Sequence, residues 1–214
     1  KDIVGTTRGM AHESQTAREE LQSMRERASA TEAQLLKLHQ ELDRVSSQAR
    51  HDPLTGALNR KGLEEALARE VARAAHLKSA LSIAFIDIDN FKSINDAHGH
   101  SFGDDALSHL AQVAREAMRP QDTLARFGGE EFVIVMPETD MAVATIVAER
   151  LRRRIASEPF AIAQGAKHLD VTISIGLATL DTADDNAATI LKRADQALYR
   201  AKRDGRNRVV ADAA

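Results

Sequence analysis

The chain contains no cysteine. Disulfides, thiolate metal sites and cysteine nucleophiles are excluded together, and the composition fits a reducing compartment. A charge bias is missing as well: 29 Lys and Arg stand against 32 Asp and Glu in 214 residues, a formal net charge of −3. Charges of both signs, spread throughout, argue against an electrostatic nucleic-acid or membrane-surface binder. Long apolar runs are also lacking. The longest stretch free of Asp, Glu, Lys and Arg is Val171–Leu180, too short to span a bilayer. No signal-peptide or lipidation pattern is present, so a cytoplasmic location is expected. A chain that opens on Lys1 rather than Met reads as an excerpt of a longer one, with any sensory region upstream.

Residues 1–52 have neither proline nor aromatic side chains, and their only glycines are Gly5 and Gly9. Within them Leu21, Ala28, Leu35, Leu42 and Ala49 recur with a heptad period. Met10, Ala17, Met24, Thr31, Leu38 and Val45 form a second such series, three positions further on. This is the a/d pattern of a left-handed coiled coil. The alternative is a single amphipathic helix folded back on the rest of the chain. Stripes at a and d alone are narrow seams rather than broad core faces, which favours a homodimer. Ala28, Thr31 and Ala49 make that seam a weak one.

Pro53 stops the helix, and Asp52-Pro53-Leu54-Thr55-Gly56 is rich in turn formers. The domains are therefore predicted as a coiled-coil helix over 1–52 and a globular domain over 53–214. The globular part predicts helix over 61–77, strand over 80–88 and helix near 104–118. A hairpin follows at 123–136, turning on Gly128-Gly129, a pair able to supply the positive φ angles of a tight turn. Helix over 140–156, strand over 169–179, helix over 186–203 and strand over 207–210 complete it. The fold class is α+β, with a mixed or antiparallel central sheet surrounded by helices, most economically packed on one face.

The predicted strand 80–88 begins apolar and ends in Asp87 and Asp89, which alternation places on one side of the sheet. Mg²⁺ takes a few carboxylate oxygens together with phosphates and water, and a strand end is a good place to offer them. Alone, such a pair is weak evidence, because solvated strand ends often produce one. Gly128-Gly129-Glu130-Glu131 adds two acids at a hairpin rim, where glycine lets a polyphosphate approach the backbone. Val133–Met136 is wholly apolar, so this second strand is buried, and its acids are not there merely for solubility. Two carboxylate clusters near one turn suggest phosphoryl transfer. His98 and His100 read as loop residues, and Leu198 and Tyr199 as core.

Arg126-Phe127-Gly128-Gly129-Glu130-Glu131-Phe132 resembles the signature of the GGDEF-domain diguanylate cyclases, in the variant with Glu third. The resemblance covers about residues 51–210. It includes Asp52–Gly56, Leu58-Asn59-Arg60, Asp87-Ile88-Asp89, Phe91-Lys92, Asn95-Asp96, Gly99-His100 and Gly103-Asp104. It ends with Ala194-Asp195, Ala197-Leu198-Tyr199, Ala201-Lys202 and Gly205-Arg206-Asn207. It implies a fold related to the palm of polymerases and adenylate cyclases. The implied reaction condenses two GTP into cyclic di-GMP and two pyrophosphates, between two domains that face each other. Asp87, the Ile88 carbonyl, Glu130 and Glu131 are then the expected Mg²⁺ ligands, with Mn²⁺ as a possible substitute. Glu131 either joins a second metal or helps activate the 3′-hydroxyl. Lys92 is expected on the phosphates, and Lys202 and Arg206, one helical turn apart, on the terminal ones. Asn95 and Asp104 are expected to read guanine, with Phe91, His100, Gly128 and Gly129 lining the substrate. Arg119-Pro120-Gln121-Asp122 and Arg150 match a site where many members bind product as an inhibitor. The alternative is a catalytically silent domain acting as a cyclic di-GMP receptor.

Overall fold

The computed structural model describes residues 24, 27, 29, 31–38, 41, 49–157, 160–162, 167–180 and 185–212, with backbone alone for 160–162 and 167–169. The chain divides into two units, Lys1–Ser47 and Gln48–Ala214. In the first, the described residues are helical and exposed, including the seam residues Met24, Leu35 and Leu38. The other seam positions from Met10 to Val45, apart from Thr31, lie outside the described residues. Ala49 is an exception to the predicted heptads, since it sits in a turn of the second unit.

The second unit runs α1 (Arg60–Leu77), β1 (Leu81–Ile88), α2 (Phe91–His98), α3 (His100–Ala117), β2 (Thr123–Arg126), β3 (Glu131–Pro137) and α4 (Met141–Ser157). It continues with β4 (Phe160–Ile162), β5 (Lys167–Leu169), β6 (Ile173–Thr179), α5 (Ala187–Arg203) and β7 (Val209–Ala211). Five strands form one sheet in the order β2-β3-β1-β6-β7, antiparallel except for the parallel β6–β7 pair. A separate antiparallel hairpin joins β4 to β5. The expected strand over 169–179 is thus two strands, and the expected helix near 104–118 starts earlier, after a further short helix. No helix among the described residues is long and apolar enough to cross a membrane.

Helices cover both faces of the sheet, not one. All eight residues of β1 are buried, which a strand achieves only when both of its faces are packed. Ile83 and Phe85 pack with Leu63 and Leu67 of α1 and with Ile190, Ala194 and Leu198 of α5. Ala84, Ile86 and Ile88 pack on the other side with Leu107 and Leu110 of α3 and Leu151 and Ile155 of α4. Each of the Leu, Ile and Phe side chains among them, fully buried, contributes about 1.5–3 kcal/mol.

Two local devices set the positions that matter below. Helix α5 is capped by Asn186, whose side chain accepts from the Ala188 and Thr189 amides while the Thr189 hydroxyl accepts from the Asn186 amide. Its apolar stripe lies directly on β6: a methyl group on Gly176 would run into the Ala194 carbonyl oxygen and the Leu198 amide nitrogen, with Leu198 Cα at 2.8 Å. Tyr199 falls outside that stripe and is 67% exposed, so it is not the core residue its neighbour Leu198 is. Helices α2 and α3 meet at Gly99, whose φ of +89° breaks the helical path. His98 and His100 therefore end one helix and begin the next instead of lying in a loop.

Candidate active site

Asp87, the penultimate residue of β1, is only 3% exposed. Its antiparallel partner on β3 is Glu131, and Glu130 precedes β3 at the hairpin tip. Lys202, in the last turn of α5, places Nζ 2.8 Å from Asp87 Oδ2. Burial lifts the Asp87 carboxyl above its ordinary range, and the charge of Asp89 adds to this, against the pull of Lys202. Burial likewise raises Glu130 and Glu131, and the Asp87 charge raises both further. Three carboxyl groups thus share one low-dielectric corner and one ammonium.

That donor set fits a hard divalent cation. The oxygens are of the right type, their mutual repulsion is relieved only in part by Lys202, and that ammonium already stands as a cation on Asp87. Among the described residues no group of three or more His, Asp or Glu is placed so that it could by itself hold a metal ion. Mg²⁺ needs none, because it is commonly held by one or two carboxylates plus substrate phosphates.

Asp89 does not join this set. Its carboxylate accepts hydrogen bonds from Thr172 Oγ1 (2.7 Å), Ser174 Oγ (2.7 Å) and the Asn207 amide (2.9 Å). It ties the end of β1 to the start of β6 and to the loop after α5. That loop carries Arg206, which is not on α5 as its spacing from Lys202 suggested. The helix ends at Arg203, and Gly205 (φ +116°) and Arg206 (φ +61°) turn the chain away. Arg206 nevertheless lowers the Asp87 carboxyl by its charge, so both basic groups act on the same corner.

The hairpin tip is held from outside. Arg126 donates from Nε (3.1 Å) and Nη2 (2.7 Å) to the Gly129 carbonyl, and from Nη1 to both Asp52 oxygens (3.3 and 3.1 Å). Asp52 also accepts from the Thr55 amide and hydroxyl. Against the cost of burial, Thr55 and Arg126 hold the Asp52 carboxyl below its ordinary range. Neither Gly128 nor Gly129 has the positive φ expected of them. Space is the constraint at Gly128, where a methyl group would stand 2.5 Å from Glu131 Oε2. Gly129 is open on that side, with nothing within 4 Å. Phe127 packs edge-on against Phe85 at 5.2 Å, with the Arg60 guanidinium 4.7 Å from its ring centre.

Helices α2 and α3 carry the remaining expected substrate residues. Phe91 is buried in the core, while Lys92, His100 and Asp104 are exposed on the surface of the helix pair. Asn95 Oδ1 is a buried acceptor with no donor. On the far side of α3, the Arg119 amide donates to Asp122 Oδ2 (2.8 Å), and burial raises the Asp122 carboxyl. Asp122 Oδ1 is also without a partner. Arg150, on α4, donates to the Ala117 carbonyl (2.6 Å), which brings it to the same chain segment as Arg119.

Residues 49–208 match the family described as diguanylate cyclase, GGDEF domain. The chain belongs to this family. Diguanylate cyclase DgcP of Pseudomonas aeruginosa is 40% identical over 202 residues, covering 94% of this chain and 30% of that protein. Response regulator PleD of Caulobacter vibrioides is 42% identical over 177 residues, covering 83% of this chain and 39% of that protein. The chain thus spans well under half the length of these curated relatives. The crystal structure of the coiled coil and GGDEF domain of DgcB from Caulobacter crescentus, in complex with c-di-GMP, superposes with a TM-score of 0.82 at 32% identity. It covers 88% of this chain and 99% of that one. The active GGEEF domain of a diguanylate cyclase from Vibrio cholerae gives 0.67 at 40% identity, over 73% and 97%.

In this GGDEF domain the signature segment is the β2–β3 hairpin, and its second Glu pairs with Asp87 on the central strand. The sequence reading missed Arg126 as the clamp of the tip and Asp195 as a further charge that raises Glu131. Asp195 lies two helical turns before Lys202, a spacing that could have placed it near the same corner.

Proposed function

We propose that the chain is the catalytic part of a diguanylate cyclase, condensing two GTP into cyclic di-GMP with release of two pyrophosphates. The juxtaposition of Asp87, Glu130 and Glu131 with Lys202 carries this reading. Asp87, the Ile88 carbonyl, Glu130 and Glu131 would hold Mg²⁺, or Mn²⁺ in its place, together with triphosphate oxygens. The bound cation would neutralise the triphosphate and polarise its α-phosphorus. Lys202 then leaves Asp87 for the terminal phosphates, joined by Arg206, while Lys92 on α2 reaches the same polyphosphate.

Asn95 and Asp104 read the base. A carboxylate matches the N1–H and 2-amino donors of guanine, which adenine does not offer as a pair. Phe91, His100, Gly128 and Gly129 line the nucleotide. The 3′-hydroxyl of a second GTP attacks the α-phosphorus, and pyrophosphate departs with the electron pair of the broken P–O bond. The hydroxyl proton passes to a carboxylate, Glu131 or Glu130. A second such step closes the ring, so two domains must face each other, each with one GTP.

The 1–52 coiled coil supplies the homodimer and raises the effective concentration of one 53–214 domain for the other. Arg119, Asp122 and Arg150 form the product site, the guanidinium groups suiting phosphate and guanine edges. GTP as substrate supports a cytoplasmic location, and the reading assigns no nucleic-acid partner and no membrane contact to this segment.

The test is nucleotide analysis of the protein with Mg²⁺ and GTP, after a phosphodiesterase has removed any carried-over product. Cyclic di-GMP and pyrophosphate in a 1:2 ratio are expected. No product, with tight retention of added cyclic di-GMP, replaces this reading by the receptor.

A further inference from the structure

Between the two residues proposed to read the base lies a third that is closed to solvent. Gly103 is buried in the first turn of α3, one residue before Asp104. Its φ is not positive, so its conformation does not call for glycine, and glycine inside a helix is unfavourable relative to alanine. The call for glycine comes from across the helix pair. A methyl group at this position would overlap Asn95 Oδ1 outright, with Phe91 Cζ at 2.9 Å and Asn95 Cγ at 3.0 Å. The carboxamide oxygen of Asn95 is turned into the volume that any other residue's side chain would fill. That oxygen is the same buried acceptor that lacks a protein donor.

We propose that Gly103 is a specificity-determining positioning residue: the space it leaves fixes the carboxamide of Asn95, and through it the preference for a purine bearing a 2-amino group. The proposal rests on the guanine reading given above. A buried acceptor without a donor is costly until a ligand supplies one, and the orientation of that acceptor decides which base does so. Gly103 makes no contact with the nucleotide and acts through Asn95 alone.

Inosine nucleotides differ from guanosine nucleotides by the 2-amino group only, so they report what that group gains from Asn95 and Asp104 together, and a change in the variant is the share of Asn95. The experiment measures binding of 3′-deoxy-GTP and 3′-deoxy-ITP to the 214-residue chain with Mg²⁺; both lack the attacking hydroxyl and cannot condense. The wild-type chain is expected to hold the guanine form about tenfold tighter, the size of one hydrogen bond to a polar group in a desolvated site. Gly103→Ala is expected to lower that ratio about threefold, to the share that Asp104 keeps, while leaving the inosine form bound much as before. A role in helix packing alone would weaken both nucleotides equally and leave the ratio intact, which overturns the proposal. In the Asn95→Ala background, Gly103→Ala should change the ratio no further, and a further fall overturns it too. If Gly103→Ala fails to fold by circular dichroism, the double variant decides, since Asn95→Ala makes room for the methyl group. A folded double variant supports the proposal, and an unfolded one moves the constraint to Phe91 and overturns it. A wild-type ratio of one overturns the guanine reading itself, an outcome distinct from any seen only in the variants.

Discussion

Lys202 Nζ stands 2.8 Å from Asp87 Oδ2, where the end of α5 passes over the end of β1. The ammonium lies where a divalent cation has most to gain, so the two compete for one carboxylate. Lys202→Met is expected to raise the affinity of the nucleotide-free chain for Mg²⁺ about tenfold. The same change should lower GTP affinity by about tenfold, through loss of a charge-assisted contact to phosphate. Calorimetry with each ligand separates the two effects, and a fall in both would deny the competition.

The Asp52–Arg126 pair has a pH signature. Asp52 titrates below its ordinary value of 3.8 in the folded chain. A depressed carboxyl stabilises the fold above its unfolded value, and the contribution is lost as pH falls through the lower folded one. Asp52→Asn should therefore cost about 2 kcal/mol at pH 7, and the gap from wild type should close as pH falls below 3.8. Urea denaturation at several pH values reads this directly. Asp87, Glu130 and Glu131 have the opposite sign, because their raised carboxyls destabilise the fold as pH climbs through them. Mg²⁺ should accordingly raise the melting temperature more at pH 8 than at pH 5.

Glu131→Gln removes one of three crowded charges without changing shape. Synthesis of cyclic di-GMP is expected to drop about a thousandfold, while the melting temperature stays level or rises. Turnover within tenfold of wild type would remove Glu131 from the chemistry.

Arg119→Ala is expected to weaken binding of cyclic di-GMP at the turn between α3 and β2 by about tenfold. Equilibrium dialysis with the labelled dinucleotide measures it, and unchanged retention would place the product elsewhere.

Gly176 bears on stability alone. With the α5 backbone lying directly against it, Gly176→Ala should cost about 3 kcal/mol, seen as a lower denaturation midpoint with unchanged slope.

The carboxylate corner was legible because its parts are local: an apolar run ending in Asp87, and two acids after a glycine pair. The two-faced burial of the sheet was legible too, in the run from Leu81 to Ile86, apolar but for Ser82, but alternation of strand and helix alone did not reveal it. Tyr199 could have been placed outside by helical spacing from Ile190, Ala194, Ala197 and Ala201. Helix α2 escaped notice because it is short, turns in Phe91 and Ile94 alone, and starts from Asn90 without a side-chain cap. The occupation of Asp89 could not be read, since its three donors come from residues 172, 174 and 207, brought in only by the fold. The same is true of the reach of Arg126 to Asp52.

Strand β1 is walled in by helices above and below and by hydrogen-bonded neighbours on both edges. Asp87 is thus mounted on the stiffest beam of the molecule. Bending that beam would disturb both cores at once, so the acidic corner cannot be tuned by small distortions from a distance. Whatever turns such a centre on or off works more cheaply by governing who arrives opposite it and for how long.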